Sequence, residues 1–352
     1  MKKKVAVAMS GGVDSSLCAA LLQEQGYEVL GITMRLSDDS REMNGVSSAA
    51  TDARRVADFL GIEHVVADFR TLFSDRVVDY FLMEYLTART PNPCVICNRF
   101  LKFGELFSFA REKGADFLAT GHYVRVEKEK DGAFALKKGR DEKKDQSYVL
   151  YRLPREILSH ILFPLGSYRK EETRALAQKL SLPVANKAES QEICFVPEDD
   201  YKAYLSQRRP NRFCSGDIVD MQGQILGQHR GLPFYTIGQR KGLGIAAAHP
   251  LYVIALDEAN NRVIVGKNEE LYASSLFASD VNWLMEEPTQ EISVHAKIRY
   301  GNREVQASVL PLEDRAVKVS FLEPQRAVTP GQSVVFYSGE RLLGGATIEA
   351  RT

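Results

Sequence analysis

No apolar run in this 352-residue chain approaches the length of a membrane span, which excludes a helical membrane protein. The start, MKKKVAVAMSGG, has the basic opening of a signal peptide, but its apolar run stops after Met9 and is too short for one. A cytoplasmic location is expected. Excess charge is missing too: 46 basic residues balance 46 acidic ones, so composition gives no sign of a nucleic-acid partner and any such footprint must be local. Cysteine is scarce. The five present, in a reducing compartment, argue against a disulfide framework and for thiols used in chemistry, metal binding or packing. Internal repeats and low-complexity linkers are also absent.

What remains is an ordinary composition, 44% hydrophobic and 26% charged, in a chain long enough for two or three domains. The first half alternates strand and helix. Val5–Met9 is a short apolar run, Asp14–Gln25 has helical spacing and stops at Gly26, and Tyr27–Met34 is strand-like again, which makes one βαβ unit. A polar loop, Ser37–Gly45, leads to a helix over Ser47–Leu60, a strand at His64–Asp68, a helix around Leu72–Leu86 and a strand at Asp116–Thr120. This order predicts an α/β domain with a parallel sheet covered on both faces. Past Tyr123, VRVEKEKDGAFALKKG has a DG turn between alternating residues, the pattern of a charged hairpin. Helices are expected at Lys170–Leu180 and Glu198–Gln207, and the rest reads as all-β, with strands such as LYVIAL, RVIVG, HAKIRY and VVFY. The expected domains are a catalytic α/β domain over 1–208, a small central β domain over 209–272 and a C-terminal β-barrel over 273–352.

Ser10–Ser16 reads SGGVDSS between the first strand and the first helix. Two glycines let backbone amides close on an anion, the serines add hydroxyl donors, and the helix amino terminus adds the positive end of a dipole. That combination is a phosphate cradle, where a bare Gly-Gly would read as an ordinary strand-to-helix turn. The segment lacks the G-K-[ST] of a Walker A loop and the G-x-G-x-x-G of a dinucleotide site. Its serine-rich, lysine-free composition resembles the PP-loop ATP pyrophosphatases, which split ATP between the α and β phosphates. The resemblance implies AMP and pyrophosphate as products and Asp14 as the residue serving Mg2+.

Thr90–Phe100, TPNPCVICNRF, sets Cys94 and Cys97 in a C-x-x-C behind two prolines, and Cys194 lies in ESQEICFV, Glu189–Val196. All three are expected in loops. A zinc site would want a fourth ligand at recognisable spacing, and no second C-x-x-C or nearby H-x-x-x-H supplies one. Cys18, in the first helix, and Cys214, in FCSG, read more simply as small buried residues.

Together, SGGVDSS, TPNPCVICN followed by FLKFG, ATGHY, KDQSYVL, ESQEICFV, YTIGQRKGLGI and AKIRY closely resemble the tRNA-specific 2-thiouridylases, over essentially the whole chain. The fold implied is an adenine nucleotide α-hydrolase-like (PP-loop) domain followed by a small β module and a C-terminal β-barrel. The activity implied is ATP-dependent 2-thiolation of the wobble uridine of tRNA: adenylation of O2, then sulfur transfer from a protein cysteine persulfide.

Residue by residue, the resemblance implies Cys194 as the persulfide carrier and Cys97 as the thiol that attacks it, leaving a Cys97–Cys194 disulfide to be reduced. A positive neighbourhood from Lys102, Arg99 or magnesium would favour the thiolates. Two roles stay open for Cys94: shaping the loop, since some members of the family carry Asp there, or completing an iron-sulfur cluster with Cys97 and Cys194. ATP is implied at Ala8, Met9, Ser10, Gly11, Gly12, Val13, Asp14 and Ser15, with Met34 and Gly121. Contacts with tRNA, expected to be those for Lys, Glu and Gln, are implied at Asn92, Pro93 and Cys94 around the target base, at His122 beside it, and at Lys144, Asp145, Gln146, Arg299, Tyr300 and Gln332. A flipped base needs hydrogen-bond donors and a π partner, which Asn, Gln and Tyr supply. His122 is either a general base or a contact. The donor implied is a cysteine desulfurase or a sulfur-relay protein. The rivals are a PP-loop synthetase using an amine nucleophile, which would need no thiols, and a non-catalytic RNA- or metal-binding protein, which would need no phosphate loop.

Overall fold

The computed structural model describes residues 2–37, 48–188, 193–210 and 212–352. Most of the expected polar loop after Ser37, the first residue of the Ser47–Leu60 helix, and Glu189–Glu192 of ESQEICFV lie outside the described residues. The first seven strands in chain order are β1 (Lys4–Ala8), β2 (Glu28–Arg35), β3 (Glu63–Asp68), β4 (Phe117–Ala119), β5 (Val124–Lys128), β6 (Phe134–Lys138) and β7 (Ile161–Leu162). Of these, β3-β2-β1-β4-β7 form a sheet in that order, and every pairing is parallel. Val5, Ala6 and Val7 are wholly buried, as expected of a central strand covered on both faces.

The helices α1 (Val13–Glu24) and α2 (Ser48–Leu60) follow β1 and β2. Ala50, Ala53, Val56 and Ala57 form the buried face of α2, at three- and four-residue spacing. The helix expected around Leu72–Leu86 is interrupted: α3 (Arg70–Phe73) and α4 (Asp79–Leu86) are joined by a π-helical stretch, Ser74–Val78. The C-x-x-C is helical rather than a loop. Cys94 lies in α5 (Pro93–Ile96), and Cys97 opens a π-helical stretch to Glu105 that runs into α6 (Leu106–Glu112). Pro93 takes the first helical position, where its missing N–H is not needed, so the prolines start a helix here. Further along are α7 (Lys170–Lys179) and α8 (Tyr201–Arg208). Glu198 stands at φ 55, outside the helical range, and α8 begins only where Asp200 accepts from the amides of Lys202 and Ala203.

The central module holds β8 (Gly216–Val219), β9 (Ile225–His229), β10 (Tyr252–Asp257) and β11 (Arg262–Gly266), in the order β10-β11-β8-β9. The last six strands are β12 (Tyr272–Trp283), β13 (Ile292–Lys297), β14 (Val305–Pro311), β15 (Val317–Arg326), β16 (Ser333–Ser338) and β17 (Arg341–Arg351). They run β12-β15-β14-β13-β16-β17 and close into a barrel by pairing β12 with β17. Only the first half of HAKIRY is strand. The chain leaves β13 after Lys297 and turns, with the Asn302 amide donating to the Arg299 carbonyl at 3.1 Å.

The β5–β6 hairpin forms as its DG turn predicts, and it belongs to the barrel's sheet, joined to β17 through Lys137 and Arg341. One apolar cluster accordingly runs from Ala6, Leu30 and Leu118 of the parallel sheet, through Val124 and Leu136 of the hairpin, to Val335, Tyr337 and Leu342 of the barrel. At about 1.5–3 kcal/mol for each large side chain removed from water, this shared core fixes the barrel against the face that carries the cysteines.

Candidate active site

Because β1 pairs with β2 on one side and β4 on the other, the carboxyl ends of these three strands lie together, where the strand order reverses. This placement puts Ala8 at the end of β1, Met9 just after it, Met34 near the end of β2 and Gly121 just past β4. Gly11 stands at φ +67, and a Cβ there would lie 2.5 Å from the Ala49 carbonyl oxygen, so only glycine lets the loop turn against α2. At Gly121 a Cβ would lie 2.9 Å from the carbonyl carbon of Asp14 and 3.0 Å from the Ser15 amide nitrogen. The end of β4 thus rests on the first turn of α1. Gly12 caps that helix without a side-chain bond, which leaves the Val13–Ser15 end facing the crevice uncapped by any side chain. Ser15 and Ser16 donate through Oγ to the Gly12 carbonyl at 3.2 and 2.8 Å and hold the turn.

Asp14 is the carboxylate of this loop. Lys170 Nζ lies 2.7 Å from each of its oxygens, and the Tyr123 hydroxyl donates to Oδ1 at 2.8 Å. On the other flank, Lys187 Nζ donates to the Gly11 carbonyl at 3.0 Å and pairs with Asp52 at 2.7 Å.

One residue beyond Gly121, the His122 ring packs between Phe103 and Phe163, with Nδ1 2.6 Å from Thr120 Oγ1. Burial, then the Lys102 ammonium, drive its pKa well below the ordinary value, so the imidazole is neutral at physiological pH. Cys97 is buried, while Cys94 and Cys194 are exposed. Although Cys94 and Cys194 keep contact with solvent, the protein packed around the sulfurs raises all three thiols, and Cys97 and Cys94 add to it at Cys194, which reaches about 11. Lys102 opposes the rise at each of them. The three thiols and His122 therefore share one electrostatic neighbourhood, centred on Lys102. Cys18 is fully buried, as expected. Cys214 is not: it lies exposed in the stretch leading to β8, where no core element covers it.

The barrel meets this neighbourhood at the C-x-x-C. Gln332 Nε2 donates to the carbonyl oxygens of Thr90 and Pro91 at 3.0 and 3.1 Å, and the Thr90 amide donates to the Pro330 carbonyl at 2.9 Å. Asn92 and Pro93 follow directly. Tyr300 is half exposed, edge-on to Tyr148, and close enough to Cys94 for that thiol's charge to raise its phenol, after burial and Asp145. Asp145 accepts from the amides of Gly139 and Ser147, and Gln146 Oε1 accepts from the Tyr123 amide at 3.0 Å, so both shape the Lys144–Gln146 turn. Arg299 donates to the Ile237 carbonyl at 3.0 Å and to Thr329 Oγ1, bridging the central module to the barrel. Asp280 on β12 accepts from Arg99, two residues past Cys97, at 3.0 Å and also pairs with Arg152 and Arg315.

Three family models match the chain in sequence: a tRNA methyl transferase HUP domain over residues 3–198, a tRNA methyl transferase PRC-barrel domain over 202–267 and an aminomethyltransferase beta-barrel domain over 273–348. The tRNA-specific 2-thiouridylase MnmA 1 of Caldanaerobacter subterraneus subsp. tengcongensis is 51% identical, across 100% of this chain and 99% of its own length. The tRNA-specific 2-thiouridylase MnmA of Carboxydothermus hydrogenoformans is also 51% identical, across 99% of this chain and 98% of its own. The chain belongs to the tRNA-specific 2-thiouridylases.

For a 2-thiouridylase, the donor sets discriminate between the groups that might be held. Mg2+ takes one or two carboxylates and completes its shell with phosphate oxygens and water, so Asp14 at the mouth of the cradle fits it. An iron-sulfur cluster needs several protein ligands converging on one point. Among the described residues, no three His, Cys, Asp or Glu side chains come together as ligands for one metal. As placed among the described residues, Cys94, Cys97 and Cys194 do not converge as the ligand set of a cluster. No local signal in the sequence marks Lys170, Thr173 and Lys187: the two lysines reach the phosphate loop from more than 150 residues away, and Thr173 touches Tyr123, which bonds Asp14 across 109 residues.

Proposed function

We propose that the chain 2-thiolates the wobble uridine of tRNA in two adjoining pockets, one for adenylation and one for sulfur transfer. It is an ATP-dependent tRNA uridine thiolase by family. The observation that carries the two-pocket reading is the adjacency of Gly121 and His122. Gly121 lies against the backbone of Asp14 and Ser15, and His122 lies in the Lys102 neighbourhood of the thiols. A base stacked beside His122 is then one residue from the nucleotide.

In the first pocket, the uncapped end of α1 and the serine hydroxyls receive the polyphosphate, with Ala8, Met9, Met34 and Gly121 around the nucleotide. Asp14 would hold Mg2+, which when bound neutralises phosphate charge. The uridine O2 attacks the α-phosphorus, the bond to the β-phosphate oxygen breaks, and that oxygen leaves with the electron pair on pyrophosphate.

In the second pocket, a persulfide donor protein, a cysteine desulfurase or a sulfur-relay protein, loads Cys194. The outer sulfur of Cys194 attacks C2 and AMP leaves with the former O2. The Cys97 thiolate then attacks the Cys194 sulfur, the sulfur–sulfur bond breaks, and its electron pair stays on the sulfur bound to C2. The products are 2-thiouridine and a Cys97–Cys194 disulfide, which an external thiol reduces. Neutral His122 serves as a hydrogen-bonding and stacking contact. Asn92, Pro93, Cys94 and Tyr300 would surround the base, and Lys144 and Arg299 would meet the backbone of the acceptors for Lys, Glu and Gln.

The test is to incubate the chain with ATP, unmodified tRNA and a persulfide donor, and to quantify AMP, pyrophosphate and 2-thiouridine. Stoichiometric AMP and pyrophosphate, dependent on tRNA, are expected. Formation of ADP would overturn the reading.

A further inference from the structure

The phosphate loop contains no lysine, yet a departing pyrophosphate needs positive charge beyond one metal ion and a helix end. The fold brings in a lysine from elsewhere. Lys170 opens α7, 156 residues from Asp14 in sequence, and its ammonium is almost entirely buried against the Asp14 carboxylate, over the face of Tyr123. A buried ammonium is expensive unless paired, and Asp14 supplies that pairing.

We propose that Lys170 is the phosphate-binding lysine of this site. It is held ready by Asp14 and turned to the β and γ phosphates when ATP enters. The proposal rests on the reading that ATP is split into AMP and pyrophosphate. Asp14 stands in the first turn of α1, whose uncapped amides would receive the phosphates, so an amine bonded to both of its oxygens lies beside the same cradle. A four-carbon stem with three rotatable N–H donors can pass from a carboxylate to a phosphate by turning about its own bonds. The exchange keeps the ammonium paired throughout. It would also leave Asp14 able to hold Mg2+. During cleavage of the bond between the α-phosphorus and the bridging oxygen, the electron pair leaves on pyrophosphate. Lys170 stays protonated and offsets that charge, and no proton moves. Tyr123 and Thr173 flank the approach: the Tyr123 hydroxyl donates to Asp14, and the Thr173 hydroxyl, 2.8 Å from both the Tyr123 oxygen and the Lys170 carbonyl, donates to one of them.

The experiment measures equilibrium binding of magnesium pyrophosphate, magnesium ATP and AMP to the full chain without tRNA, for the parent and for Lys170→Met, Lys170→Gln and Lys170→Arg. Loss of a charge-assisted contact weakens pyrophosphate and ATP by about tenfold or more in the Met variant. AMP, which lacks the leaving phosphates, binds unchanged, and the Arg variant recovers part of the loss. The Gln variant, which still donates to Asp14, gives the same answer if the Met variant fails to fold. Unchanged pyrophosphate affinity in a folded neutral variant would overturn the proposal, as would an equal loss for AMP, which signals a collapsed site. A parent protein that makes ADP or binds no pyrophosphate would overturn the reaction itself, and the role of Lys170 with it.

Discussion

Gln332 on the barrel bonds the carbonyl oxygen of Thr90 at 3.0 Å, and through it the barrel holds the strap that leads into Asn92, Pro93 and Cys94. A side chain 242 residues away therefore anchors the segment that leads into the C-x-x-C helix. Two bonds of about 1 kcal/mol each are lost in Gln332→Ala, which lowers the single-turnover rate of thiouridine formation by up to about thirtyfold. Affinity for tRNA changes far less, because positioning is what fails. Filter binding beside rapid-quench thiolation separates the two, and an equal fall in both would instead mark Gln332 as an affinity contact.

The three thiols have different expected roles. Cys97→Ser and Cys194→Ser each abolish thiolation while retaining tRNA-dependent release of pyrophosphate, and Cys94→Ser retains substantial thiolation. Aerobic turnover of the parent builds a disulfide between Cys97 and Cys194, read by mass spectrometry of unreduced peptides. Activity that followed iron content and vanished equally in all three variants would replace the persulfide route with a cluster.

Acid and base should act on different residues. Cys194, raised to about 11, is protonated at neutral pH, so its alkylation rate climbs about tenfold per pH unit and levels off only near that value. His122 works in the other direction. Its folded pKa lies well below 6.5, so beneath that pH the unfolded chain takes up the proton first and stability falls with acid. His122→Asn flattens that part of the curve, as measured by urea unfolding between pH 5 and 7 (about the range in which free imidazole titrates).

Lys144 and Arg299 are both expected to meet tRNA phosphate, and Arg299 also carries bonds within the fold. Lys144→Ala reduces the slope of log affinity against log salt by about 0.7–0.9. Arg299→Ala lowers the melting temperature as well, because its bonds to Ile237 and Thr329 join two modules. Salt titration and calorimetry on both variants check this.

Much of this protein is legible without coordinates because its signals are local. Apolar runs broken by a helical period announce the parallel sheet, and SGGVDSS between a strand and a helix announces the cradle, since both depend on neighbours a few residues apart. The hairpin at Asp131–Gly132 is readable for the same reason. What the hairpin pairs with is not. Its union with β17 depends on a strand edge some 200 residues onward, and local propensity carries no information about that edge. Burial is equally non-local, which is why Cys18 and Cys214 look alike in sequence, yet one is sealed under the sheet and the other faces water. The Asp14–Lys170 pair is the sharpest case. The sequence alone determined that the loop lacks a lysine, and only the packing of α7 against α1 decided which lysine pairs with its Asp14, because a buried charge finds its partner through space and not along the chain.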